Sequence, residues 1–214
     1  SCASCHLPTQ AFGGSSKTSV GSGGAVGRRN VPALANMGWH PYFTREGGVP
    51  TLEMQVLVPI QETNELNHNI VLIAEALKND SVYVSMTTEA FDMAPSPFTI
   101  TRALASFQRS LVSGSSAYDR WLEGDRLALS HSAVRGQKIF NSIGCDQCHS
   151  GPQFSDFELR NNGLFKIYPD SGLYQLTLNP DDIGKFKTAS LRNLSFTAPY
   201  MFDGSLNTLD EVIA

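Results

Sequence analysis

The chemistry of this 214-residue sequence starts from its cysteines. There are four, and they form two copies of one word: Cys2-Ala3-Ser4-Cys5-His6 and Cys145-Asp146-Gln147-Cys148-His149. Two thiols a short turn apart can form thioethers to the two vinyl groups on one edge of a porphyrin, while the adjacent histidine reaches the iron from below. C-x-x-C-H is the attachment word of c-type haem. A pair of disulfides, or one zinc site with four cysteine ligands, would use the same sulfurs but would not need the trailing histidines. Two words far apart in the chain imply an internal repeat of a haem-binding unit, with one haem per lobe.

The elements that must position these words are mostly helices and loops. Gly13 to Gly27 is glycine- and serine-rich and reads as loop. Asn69 to Asn79 carries Ile70, Ile73, Ala74 and Leu77 at helical spacing. A longer helix is expected from about Thr99 to Val112, capped by Ser96 or Thr99, with Ile100, Ala103, Leu104, Phe107 and Leu111 as its core stripe. Another, Ser132 to Ile143, follows a cap at Ser130 or Ser132 and delivers the chain to Cys145. Between Gly151 and Pro199 four prolines leave room only for short extended pieces. Leu206, Leu209, Val212 and Ile213 begin a helix that Ala214 cuts, and Ser1 reads as a processed or truncated start. The expected fold is mainly α, with two cytochrome c-like haem lobes, 1–125 and 126–214, long loops and little strand.

Composition narrows the partners. Sixteen basic and 20 acidic side chains leave a net charge of −4, which excludes a basic nucleic-acid footprint. Charged residues are only 17%, below the usual quarter or so, as expected where a cofactor or partner covers surface. No apolar run approaches the ~18–20 residues of a membrane span.

In order around the two words, the sequence resembles the bacterial di-haem cytochrome c peroxidase family, which includes the related enzymes that complete a quinone cofactor on a partner protein. The resemblance rests on Arg29-Asn30-Val31-Pro32, Leu52-Glu53-Met54-Gln55, Pro59, Glu65, Ser116-Ala117-Tyr118-Asp119-Arg120, Gly136-Gln137-Lys138-Ile139-Phe140, Phe186 to Asn193, and Thr197-Ala198-Pro199-Tyr200-Met201-Phe202-Asp203-Gly204. It implies that Cys2 and Cys5 hold a peroxide-reacting haem with His6 on its iron, and that Cys145 and Cys148 hold an electron-entry haem with His149 on its iron. Glu65 is then the acid/base group and Gln55 orients water or peroxide. It further implies a calcium ion between the haems, held by Asn30, Thr197 and Pro199. Hydrogen peroxide is the implied substrate, and a small cytochrome c or copper protein the electron donor. Export to the periplasm or beyond is implied, with a dimer or larger assembly expected.

Three departures stand out. Ser22 occupies the loop position where many family members carry an iron-blocking histidine, so the first haem is expected to be open without reductive activation. Arg45 replaces a tryptophan that relays electrons, and Phe202 replaces a histidine. Trp39 is expected to pack rather than relay, and His40, His68 and His131 to be surface groups, His68 being the one that could face the open side. The sixth ligand of the second haem is a methionine or tyrosine in the family, and Met201 occupies a packing position. The function implied is a di-haem peroxidase that reduces hydrogen peroxide to water. The alternatives are a non-catalytic electron-transfer subunit of a larger assembly and a di-haem oxidase that modifies a partner protein.

Overall fold

The computed structural model describes residues 1–214, which divide into two compact units: Ser1–Leu111 with Leu194–Ala214, and Val112–Asn193. This division differs from the 125/126 lobe boundary at two segments, 112–125 and 194–214. Nine α-helices alternate with short 3-10 turns, and strand is confined to one two-residue antiparallel pair, as expected of a mainly α fold. No helix is long and apolar enough to cross a membrane.

The first unit opens with a 3-10 turn at Cys2–Ser4 and a long glycine-rich loop. Thr51 then caps α1, Leu52–Gln55, which runs directly into α2, Leu57–Gln61. Asn69 caps α3, Ile70–Leu77, and Asp80 caps α4, Ser81–Phe91. The longest helix, α5, spans Pro97–Ser110; Ser96 and Thr99 exchange hydrogen bonds as a capping box, and Pro97 supplies a preset first turn. Two apolar clusters hold these helices together. One joins Phe43, Leu52 and Ala105; the other joins Val56, Ile60 and Ile70, with Leu57, Ile73, Ile100 and Leu104 packed against it.

The core stripe of α5 is rotated from expectation. The residues it buries are Thr99, Thr101, Ala105 and Gln108, of which Ala105 packs with Leu52 of α1, Phe43 and Met37. Ile100 and Leu104 are half-buried, Ala103 is exposed, and Phe107 is 49% exposed. Small and polar side chains win the tight contact because two helices can approach closely only where little stands between them. Trp39, expected to pack, is 54% exposed. Helix α4 has no counterpart among the sequence expectations: its apolar residues Val82, Tyr83 and Met86 are exposed and form no buried stripe.

In the second unit Ser116 and Asp119 form a capping box at the start of α6, Ala117–Leu122, and Ser130 caps α7, His131–Ser142. Gly144, at φ +86°, turns the chain out of α7 into the 3-10 turn Cys145–Gln147. Only a residue without Cβ adopts that handedness cheaply. Beyond it lie β1, Leu159–Arg160, paired with β2, Phe186–Lys187, and one further helical turn, α8, Tyr174–Thr177. The expectation of short extended pieces here misses α8. The chain closes with α9, Leu209–Ile213, which returns to the first unit.

Candidate functional site

Each cysteine word folds into the same turn. The Cys5 and His6 amides donate to the Cys2 carbonyl at 3.2 and 2.9 Å, and those of Cys148 and His149 donate to the Cys145 carbonyl at 3.3 and 2.9 Å. All four thiols are free, so the disulfide alternative falls. No cluster of three or more His, Cys, Asp or Glu side chains is arranged to hold a metal.

The histidines are oriented alike. His6 Nδ1 lies 2.7 Å from the Phe12 carbonyl and His149 Nδ1 lies 3.1 Å from the Phe154 carbonyl. A carbonyl only accepts, so Nδ1 must carry the proton in both rings, which leaves Nε2 with its lone pair for iron. Burial lowers the His6 pKa, against the opposing hydrogen bonds to Phe12 and Pro32, and so favours the neutral ring that a metal needs. Thiols on one turn and an adjacent imidazole with a preset Nε2 fit haem c. Phe12 and Phe154 both adopt the left-handed backbone region, at φ 59° and 49°. Sequence reasoning missed both acceptors. The signal was a shared proline, glutamine and phenylalanine after each word: Pro8, Gln10, Phe12 and Pro152, Gln153, Phe154.

An aromatic pair stands beside the His6 acceptor. Phe107 of α5 packs edge-on against Phe12 with ring centroids 6.0 Å apart, which places part of the supposed core stripe beside the histidine. Around His149 the walls are polar. Arg192 donates from both Nη atoms to the Asp119 carboxylate at 2.8 and 2.9 Å, and from Nε to the Pro152 carbonyl at 2.6 Å. Its guanidinium also lies 5.7 Å from the Phe154 ring centroid. Ser190 Oγ donates to the Gln153 carbonyl at 2.5 Å, so three successive residues leading to the histidine's acceptor are clamped. Arg192, followed by the Ser116 hydrogen bonds, holds the Asp119 carboxyl far below the usual carboxylate range.

Glu65 lies in the turn that follows α2, with its amide donating to the Glu62 carbonyl at 3.0 Å. The side chain is accessible to solvent and makes no hydrogen bond, yet the protein around it removes part of its hydration. That desolvation, followed by repulsion from Glu62, raises its pKa. Gln55 is half-buried at the end of α1, and no hydrogen bond joins it to Glu65. The glycine-rich loop closes on the Glu65 turn: the Ser22 amide donates to the Glu65 carbonyl at 2.6 Å. A Cβ on Gly21 would come within 2.5 Å of that same carbonyl oxygen, so the close approach requires glycine at this position. His68 is exposed and lines a shallow cavity of about 290 Å³ with Asn67, Asn69 and Leu72.

The three residues expected to hold calcium have other engagements. Asn30 is 6% exposed and both its oxygens face the Arg45 guanidinium, at 2.8 and 3.3 Å. Pro199 is buried after a cis peptide bond and Thr197 is half-buried. Phe202 is buried, and its carbonyl accepts the Asn30 amide at 2.8 Å. A cation already sits on both Asn30 oxygens, so these residues as arranged do not fit a calcium ion.

Residues 1–127 match the family described as di-haem cytochrome c peroxidase. The chain belongs to that family. The methylamine utilization protein MauG of Methylophilus methylotrophus is 36% identical over 220 residues, which cover 99% of this chain and 64% of that protein. The cytochrome c551 peroxidase of Nitrosomonas europaea is 30% identical over 218 residues, covering 100% of this chain and 65% of its own. The crystal structure of a MauG-like protein associated with microbial copper homeostasis superposes with a TM-score of 0.93 at 35% identity, over 100% of this chain and 69% of that one. The di-haem peroxidase BthA from Burkholderia thailandensis shares the fold at 22% identity and a TM-score of 0.81, over 100% of this chain and 65% of its own. The chain thus spans a little under two thirds of the length of the curated relatives it matches.

Proposed function

We propose that this chain is the di-haem part of a c-type peroxidase that reduces hydrogen peroxide to two waters with two protons and two electrons from a small cytochrome c or copper protein. Cys2 and Cys5 would attach one haem, with His6 on its iron; Cys145 and Cys148 would attach the second, with His149 on its iron. When bound, these groups supply the redox chemistry and the electron path. In the lobe around His6, the Phe12 carbonyl holds the imidazole proton at Nδ1. Glu65 would take a proton from hydrogen peroxide and return it to the oxygen that departs, and Gln55 would orient the peroxide by hydrogen bonding. In the lobe around His149, the Phe154 carbonyl performs the same orienting task within the Arg192 clamp. Calcium has no part in this reading. Covalent haem attachment of this type implies an exported, periplasmic protein, with a dimer or larger assembly as its working form.

The observation that carries the reading is Glu65: a carboxyl with no hydrogen-bond partner and a raised pKa, whose turn is held by the Ser22 amide where a histidine would otherwise compete for the iron. The test is the reaction of the ferric holoprotein with hydrogen peroxide by stopped flow. Glu65→Gln is expected to slow it about 10²–10⁴-fold. Because the base form is needed, the wild-type rate is expected to fall with acid through a pKa above the ordinary glutamate value, a limb that the variant lacks. An equal rate in both proteins, with the haem spectra unchanged, would remove Glu65 from the mechanism. Electron transfer without peroxide consumption would support the subunit reading instead.

A further inference from the structure

We infer that the Arg45 guanidinium is the resident cation at Asn30, so that this protein needs no divalent metal at that point. The inference rests on a full accounting of the Asn30 polar groups. Its amide donates to the Phe202 carbonyl at 2.8 Å, and its Nδ2 donates to the Ser16 carbonyl at 3.2 Å. That second bond fixes the side-chain orientation, because a carbonyl cannot donate: Oδ1 must be the atom turned toward Arg45. Arg45 Nη2 then donates to the Asn30 main-chain oxygen at 2.8 Å and lies 3.3 Å from Oδ1. Every polar atom of this buried residue is engaged within the protein, and its two oxygens share one cationic donor.

The guanidinium is presented by a closed turn. Phe43, buried in the first apolar cluster, donates its amide to the Val49 carbonyl at 2.7 Å. Within that turn the Thr44 hydroxyl accepts the Gly48 amide, and Glu46 is ion-paired with Arg29, the neighbour of Asn30. The turn is therefore closed on itself by two bonds and tied to the Asn30 segment by the Glu46–Arg29 ion pair besides Arg45 itself. A calcium ion requires about six to eight oxygens at roughly 2.3–2.6 Å. On Oδ1 it would meet a like charge bonded to the same residue, in a half-buried setting where repulsion is weakly screened. Arginine cannot lose its proton to make way. The main-chain amide of Asn30, bonded to the Phe202 carbonyl, also ties this residue to the segment that carries Thr197 and Pro199.

The test uses the holoprotein and calcium chloride alone, and it does not depend on the peroxidase reading. Wild type is expected to carry less than about a tenth of a calcium per chain by atomic emission, to give no binding heat, and to melt at one temperature with calcium or with EGTA. Arg45→Ala frees both Asn30 oxygens. It is expected to melt lower, to bind one calcium at least about tenfold more tightly than wild type, and to recover its melting temperature on adding calcium. Arg45→Gln, which keeps an amide donor but no charge, is the second variant should Arg45→Ala accumulate poorly; it too should gain calcium binding. Stoichiometric calcium in wild type would overturn the inference. So would a failure of both variants to gain any.

Discussion

The two units hold the same histidine turn by different means. All eight buried apolar residues, from Phe43 to Phe202, lie in the first unit, where six of them form two clusters across four helices. The second unit has none; its buried side chains are Ser155 and Asp170, and its order rests on charged and polar clamps. Burial of apolar area is non-directional and survives small displacements. A hydrogen-bonded clamp works only in register, so the second unit fixes one geometry closely and has little stability in reserve. A unit without an apolar core must also draw more of its stability from whatever binds to it.

The comparison breaks most visibly when the attachment thiols are removed. With Cys145 and Cys148 both changed to alanine, hydrogen exchange is expected to show protection lost across 112–193 while α1, α2, α3 and α5 keep theirs. Changing Cys2 and Cys5 instead should leave those helices measurably protected. Equal loss in both cases would refute the difference between the units. Next in size, Leu52→Ala opens a cavity beside Phe43 and Ala105 and should cost about 2–5 kcal/mol by denaturant unfolding.

Arg192→Ala should cost somewhat less, about 1.5–3 kcal/mol, by releasing charge-assisted bonds. It should also shift the reduction potential of the haem on His149 without moving the other. Arg192→Lys should fail to restore that potential, since an ammonium cannot serve Asp119 in bidentate fashion and Pro152 together. The smallest effect concerns pH. The Asp119 pKa is depressed in the folded state, so its stabilisation is complete above the ordinary carboxylate range and is lost as pH falls through that range toward the folded value. Melting temperatures of wild type should therefore drop more steeply in acid than those of Asp119→Asn.

Much of the site was legible in the sequence because its chemistry is tied to residue type. Thiol pairs with a following histidine have few other uses, and the caps Ser96 and Ser130 marked two helix starts to within a few residues. What was not legible is carried by backbone and by distance. The acceptors at Phe12 and Phe154 are carbonyls, which every residue possesses. Asp119 and Arg192 are 73 positions apart, and no local pattern pairs them. Arg45 stood out only as a departure; its partner Asn30 emerged once the turn from Phe43 to Val49 was closed. Helix α4 escaped notice because its apolar residues are exposed, so the periodicity that reveals a buried face is absent.

The central claim is that the iron above His6 is open to peroxide while Glu65 waits beside a loop that offers serine, not histidine. The most direct measurement is the electron paramagnetic resonance spectrum of the ferric holoprotein before any reduction. A high-spin signal, unchanged in Glu65→Gln and converted by added fluoride or azide, is the predicted result. Two low-spin signals and no high-spin one would contradict it, because a sixth ligand would then close the site that peroxide has to reach.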